Sequence, residues 1–193
     1  MKTKAKIILA SQSPRRQQLL KDLGLNFEIR VADIEENYPK ELEREAIVEF
    51  LAELKSNVIE CSKNEVLITS DTIVWINDHI LEKPKNATHS KEMILELSGG
   101  THEVLSGVCI SYQGKKHTFH SVTKVHFKTL SDSEIDYYVS NYKPFDKAGS
   151  YGIQEWIGYA GIKGIEGDYF NVMGLPVNMV YDKLKELGVI SPD

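Results

Sequence analysis

Ser11, Ser13, Arg15 and Arg16 lie close together in the stretch LASQSPRRQQLL, Leu9 to Leu20. Residues of these types at this spacing can hold an anion. Ser13 suits a helix N-cap and Pro14 the first helical position, with Gly24 closing the element after Leu19, Leu20 and Leu23 have marked its apolar face. Arg15 and Arg16 then fall in the first helical turn, where the positive end of the helix dipole disfavours cations. An anion seated among them removes the conflict, and hydroxyls, guanidinium forks and unpaired backbone N–H groups together suit phosphate. The plainer alternative is a pair of solvated arginines at a helix end.

A second set of residues can do acid–base or metal chemistry. Asp71 interrupts EVLITSDTIVWI, Glu65 to Ile76, otherwise the most strand-like segment of the chain. A carboxylate buried in an apolar strand requires a partner, a hydrogen bond or a metal; otherwise Asp71 marks a wet strand end or bulge. Further carboxylates, Asp33, Glu35 and Glu36, stand in an acidic loop ending near Pro39. Lys55, Lys83 and Lys147 complete the inventory. Lys55 flanks the stripe Ile47, Phe50, Leu51, Leu54 and Val58 of a long helix, where a lysine ordinarily snorkels outward but can also point into a cleft. These types suit phosphoryl chemistry: cations neutralise phosphate oxygens, and carboxylates hold a divalent metal or activate water. No Walker A, GxGxxG, HExxH, GxSxG or CxxC pattern occurs, which sets aside P-loop ATPases, Rossmann dehydrogenases, zincins and α/β-hydrolases. Hydrolysis of a small phosphate-bearing molecule is what remains. The phosphorus attacked is not readable from these residues.

The elements that must position these groups alternate in type. Strands are expected at Ile7 to Leu9, Phe27 to Val31 and Glu65 to Ile76, and a two-residue turn at Asn77 and Asp78 leads into a strand from His79 to Glu82. A second hairpin joins Glu103–Tyr112 to Lys116–Lys128. Helices are expected from Leu42 to Cys61, from Thr88 to Leu97, from a capping box at Ser131 and Glu134 to Tyr142, and from Val172 to Leu187 with a kink or late start at Gly174, Leu175 and Pro176. Two glycine-bearing stretches, Pro144 to Gln154 and Gly158 to Gly167, read as loops, and the first has the composition of one that lines a site. This order predicts an α/β fold with a mixed sheet. At 193 residues the chain fits one domain, or one domain with two lobes. A formal net charge of −5 argues against nucleic-acid or anionic-membrane partners. Two cysteines and no apolar run of membrane-spanning length point to a reducing compartment, with the cytoplasm the expected location.

LASQSPRRQQLL, SDTIV (Ser70 to Val74), EKP (Glu82 to Pro84), LSGGTHEV (Leu97 to Val104), DKAGSYGIQ (Asp146 to Gln154) and GDYFNVMGLP (Gly167 to Pro176) together resemble the Maf family. The blocks follow the family's order and span nearly the whole chain, so the resemblance implies a single domain over residues 1–193. It implies an elongated, two-lobed α/β fold with a twisted mixed sheet and central cleft, like that of inosine triphosphate pyrophosphatases. It also implies a nucleoside triphosphate pyrophosphatase that cuts between the α and β phosphates with the help of Mg²⁺ or Mn²⁺. Carried over by position, Asp71 is the catalytic proton acceptor and, with Glu36, a metal ligand. Ser11, Arg15, Arg16, Lys55 and Lys83 contact substrate, and Lys147 joins them as a further lysine of the DKAGSYGIQ block. Arg16, Thr72 and Gln154 resemble the subgroup acting on dTTP and UTP, with modified pyrimidine triphosphates as further candidates. A glutamine amide can pair with the O4 and N3–H edge of uracil or thymine. Ser56, Asp168 and Phe170 depart from the family's usual small residues. The alternatives are a 7-methyl-GTP pyrophosphatase and a non-catalytic nucleotide-binding regulator of cell division, and a homodimer is a family-level expectation.

Overall fold

A computed structural model describes residues 1–192. Strands β1 (Lys2–Thr3) and β2 (Lys6–Leu9) precede helix α1 (Pro14–Asp22), β3 (Phe27–Ile29), α2 (Glu45–Asn57), β4 (Glu65–Ile76), β5 (His79–Leu81) and α3 (Ala87–Leu97). Then come β6 (Thr101–Tyr112), β7 (Lys115–Phe127), α4 (Asp132–Tyr142), a 3₁₀ turn (Ala148–Ser150), α5 (Trp156–Gly161), β8 (Ile162–Glu166), α6 (Tyr169–Met173), α7 (Val177–Glu186) and β9 (Ile190–Ser191). Hydrogen-bonded neighbours run β3-β2-β4-β6-β7-β8, with β5 on β4, while β1 and β9 form a separate antiparallel ribbon. Parallel pairing of β2 with β3 and β4, and antiparallel pairing of β4 with β5 and β7 with β8, make the mixed α/β sheet that the order of elements predicts.

Contacts divide the chain into two compact units. The first comprises residues 1–71, 106–121 and 174–193; the second comprises 72–105 and 122–173. In the first, the β2–α1–β3 passage brings Ile7 beside both Phe27 and Val66, and Ile7, Ile8, Leu9, Leu20 and Leu67 are buried. Helix α2 is shorter than the Leu42–Cys61 span read from periodicity. Arg44 takes the N-cap position at a left-handed φ of 50° without a side-chain cap, and Val58 ends the helix. Ile47 and Leu51 of the expected stripe are buried, Phe50 and Leu54 are half-buried and Val58 is exposed, while Val48, Ala52 and Ser56 widen the buried face. Ser56 is satisfied there by Ser111, the two hydroxyls lying 2.6 Å apart.

In the second unit, Asn77 and Asp78 both adopt positive φ, as the expected two-residue hairpin turn requires. The capping box at Ser131 and Glu134 forms in full. The stretch Gly158 to Gly167, read as loop, instead holds the end of α5 and all of β8, and β8 pairs along β7 from Lys124 to Phe127. The expected terminal helix is two helices, broken where Gly174 turns at φ 112° ahead of Pro176. No helix among the described residues is long and apolar enough to cross a membrane.

The core of this second unit contains a buried histidine. His102 Nε2 lies 2.7 Å from the Tyr151 hydroxyl, and both rings pack with Phe127. Burial, reinforced by nearby His126, pulls the His102 imidazole from its ordinary value down to about 3. The folded state therefore keeps His102 neutral, while the unfolded chain takes up a proton below its ordinary value near 6.5. Stability is complete above that value and should fall, by up to about 1.4 kcal/mol per pH unit, as pH drops toward 3. Thermal melts of the wild type and His102→Gln between pH 7 and 4.5 check this. The variant should show a flatter pH dependence, and parallel curves would contradict it.

Candidate active site

The first unit carries Ser11, Ser13, Arg15, Arg16, Glu36, Lys55 and Asp71. Asp71 is 8% exposed within β4, and its Oδ1 accepts from Lys55 Nζ at 2.5 Å. Glu36 Oε1 approaches the same ammonium at 3.0 Å. Lys55 therefore points inward, toward Asp71 and Glu36, rather than snorkelling. Two features set its distance from β4. The Thr69 hydroxyl, two residues before Asp71, donates to Ala52 O of α2 at 2.6 Å. Gly107 of β6 admits the helix backbone so closely that a Cβ there would lie 2.2 Å from Val48 O. Asp71 is thus not a wet strand end but a buried, paired carboxylate.

Helix α1 begins as its sequence indicates, with the Ser13 hydroxyl accepting from Arg16 N and Pro14 at its start. Ser11 is buried, and its Oγ accepts from Ser13 N at 3.2 Å and faces Arg16 Nη1 at 3.5 Å. Arg16 donates from Nε to Gly174 O and from Nη1 to Ser70 O, both at 2.8 Å. It braces the start of α1 against β4 at the residue before Asp71, a tie that the sequence did not disclose. Burial lowers the Arg16 guanidinium from its usual value, with Asp71 acting in the opposite direction and Arg15 adding to the fall. It stays charged. Arg15 lies in the same helical turn, half-buried.

Among the described residues no three His, Cys, Asp or Glu side chains gather as a metal-ligating group. Glu36 and Asp71 nevertheless face one cationic position, which the Lys55 ammonium takes. Two hard carboxylates, with the remaining positions left to phosphate oxygens and water, suit Mg²⁺ or Mn²⁺. The donor set fits the expected metal.

The second unit carries Thr72, Lys83, Lys147 and Gln154. Thr72 follows Asp71 directly on β4 and is half-buried; Lys83, after β5, is exposed. Lys147 is 8% exposed, with Nζ 2.7 Å from Asp146 Oδ1 and 3.1 Å from Glu155 Oε1. Gln154 is half-buried, yet its Oε1 is shielded from water and has no hydrogen-bond partner. Gly149 lets the same loop pass β4 tightly, since a Cβ there would meet Val74 Cγ2 at 2.9 Å, and its N–H donates to Glu82 O beside Lys83. Glu155 and Tyr138 escaped the sequence reading. Nothing local marks either, because their partners are distant in sequence.

The family model described as Maf-like protein matches residues 6–187. The chain belongs to the Maf family. Among curated Maf relatives, it is 55% identical over 186 residues to a dTTP/UTP pyrophosphatase of Flavobacterium johnsoniae, covering 95% of this chain and 96% of that one. It is 50% identical over 187 residues to the protein of the same name from Phocaeicola vulgatus, covering 95% and 97% of the two chains. Among solved structures, a HAM1 protein from Coxiella burnetii gives a TM-score of 0.41 at 15% identity, over 64% of this chain and 73% of that one, a similarity too low to bear on fold or activity.

Proposed function

We propose that this Maf protein is a nucleoside triphosphate pyrophosphatase of the cytoplasm that hydrolyses dTTP and UTP to the monophosphate and pyrophosphate. The cluster of Asp71, Lys55 and Glu36 beside Arg16 carries the reading, in a chain half identical to relatives named for that activity. A buried carboxylate touching an ammonium and flanked by a fixed guanidinium is what a water-activating base among phosphates requires.

In this reading the Asp71 carboxylate orients a water and accepts its proton as the water oxygen bonds to the α-phosphorus. The bond from that phosphorus to the α–β bridging oxygen breaks, and the electron pair leaves with pyrophosphate. Lys55 moves from its ion pair toward phosphate oxygen, so Asp71 is freed as substrate is engaged. Arg16, held by two backbone carbonyls, presents a positive charge fixed in place, and Arg15 and the Ser11 hydroxyl bind the polyphosphate; Lys83 is a further phosphate-binding lysine of the second unit. Mg²⁺ or Mn²⁺ held by Glu36 and Asp71 would supply charge neutralisation at the phosphate oxygens. Gln154 reads the base: its shielded Oε1 accepts from N3–H of uracil or thymine, and Thr72 leaves room for a pyrimidine ring.

A panel of nucleoside triphosphates incubated with Mg²⁺, read by pyrophosphate and monophosphate release, tests this. Turnover led by dTTP and UTP is expected. Turnover of 7-methyl-GTP alone would move the protein to the sister branch, and no turnover at all would favour a binding-only regulator.

A further inference from the structure

Gln154 can discriminate only if it is held. A carboxamide presents a donor and an acceptor side by side, so turning it over converts a match for uracil and thymine into a match for cytosine. What holds it is a short turn within the second unit. Glu155 N–H donates to Gly152 O at 3.0 Å, which places Ile153 and Gln154 at the two central positions. Both ends of that turn meet one hydroxyl. Tyr138 OH accepts from Gly152 N–H at 3.0 Å and donates to Glu155 Oε2, while Glu155 Oε1 pairs with Lys147.

The anchor is rigid. Tyr138 is fully buried in α4, and its ring stacks on Tyr142 with centroids 5.1 Å apart. Burial, and then its bond to Glu155, push its phenol well above the usual range, so it remains a donor. A Cβ at Gly152 would lie 2.9 Å from Glu155 Cδ and 3.0 Å from Gln154 Nε2, so a side chain there would push both groups from their places. The Gln154 carboxamide and the Glu155 carboxyl thus bracket one α-carbon.

We propose that Tyr138 and Glu155 are positioning residues for base selection. The Tyr138 hydroxyl pins both ends of the Gly152–Glu155 turn and so fixes the orientation of Gln154, while Glu155 keeps Lys147 in place. This rests on the reading that Gln154 contacts the pyrimidine.

Tyr138→Phe keeps the ring and its stack and removes only the hydroxyl. Its ratio of kcat/KM for dTTP over dCTP should fall about tenfold, through KM more than kcat. Amide hydrogen exchange at residues 152–155 should quicken about tenfold or more. Glu155→Gln can keep its oxygen as acceptor for Tyr138 but then turns an amide N–H2 toward the Lys147 ammonium, so it should retain the base ratio while raising KM for both nucleotides. A ratio and exchange rates within about twofold of wild type in Tyr138→Phe would overturn the proposal. So would an equal loss of kcat for every triphosphate with the ratio intact. The exchange measurement needs no substrate. Unchanged protection refutes the positioning role whatever the enzyme hydrolyses, whereas a wild type without preference for dTTP over dCTP refutes the reading of Gln154.

Discussion

Asp71→Asn should lose about 10² to 10⁴ in kcat on dTTP with Mg²⁺ while KM changes little. The substitution conserves shape and removes the ability to take a proton from water. It also keeps much of the local structure. Asparagine Oδ1 still accepts from Lys55, whose ammonium retains Glu36 at 3.0 Å, so no buried cation is stranded. The Thr69 bond to Ala52 O and the Arg16 brace to Ser70 O involve neither carboxylate oxygen. The variant should therefore fold and bind nucleotide. If kcat stays at the wild-type value in a folded Asp71→Asn protein, Asp71 is not the proton acceptor.

Gly107→Ala should strongly destabilise the first unit. A Cβ at this position would stand 2.2 Å from Val48 O and 2.7 Å from Glu49 N, and both are backbone atoms of α2. No side-chain rotation relieves that contact, so the helix itself must move off β6, at a loss of about 3 kcal/mol or more. For a chain of this size that corresponds to a melting point lower by roughly 6–12 °C. Because α2 carries Lys55, activity per folded molecule should fall as well. Gly164→Ala is the control, since a Cβ there meets nothing within 4 Å. Its stability should stay within about 0.5 kcal/mol of wild type. Differential scanning calorimetry of the two variants checks both statements; equal melting points would mean that α2 and β6 are not in this close contact.

The parts of the fold legible in the sequence are those whose causes are local. Ser13 and Pro14 announce α1, Asn77 and Asp78 the hairpin, and Ser131 with Glu134 the start of α4, because caps and turns are made by residues three or fewer positions apart. Strand β8 was missed because its alternation is weak and Gly161, Gly164 and Gly167 surround it; its pairing with β7 defines it. The β1–β9 ribbon joins residues from opposite ends of the chain, and two-residue strands carry no pattern of their own. Helix α2 shows a subtler limit. Periodicity found Ile47 and Leu51 of the buried face but not Ser56, which is buried by virtue of Ser111 and not by its own polarity.

The candidate site divides in the same way. Asp71 stood out because a carboxylate in an apolar strand demands a partner, but the identity of that partner, Lys55 on α2, is a tertiary fact. Arg15 and Arg16 stood out because they oppose a helix dipole. The structure adds that Arg16 bonds to the backbone at Ser70 and Gly174, so its charge is positioned as well as present. Lys147 was visible in its loop, whereas Glu155 and Tyr138, which restrain that loop, were not.

The measurement that most directly tests the central claim is hydrolysis of dTTP by the wild-type protein in oxygen-18 water, with products analysed by mass spectrometry. If Asp71 activates a water for attack on the α-phosphorus, the label appears in dTMP and the pyrophosphate carries none. Label in pyrophosphate, or release of orthophosphate from the γ position, would contradict the account.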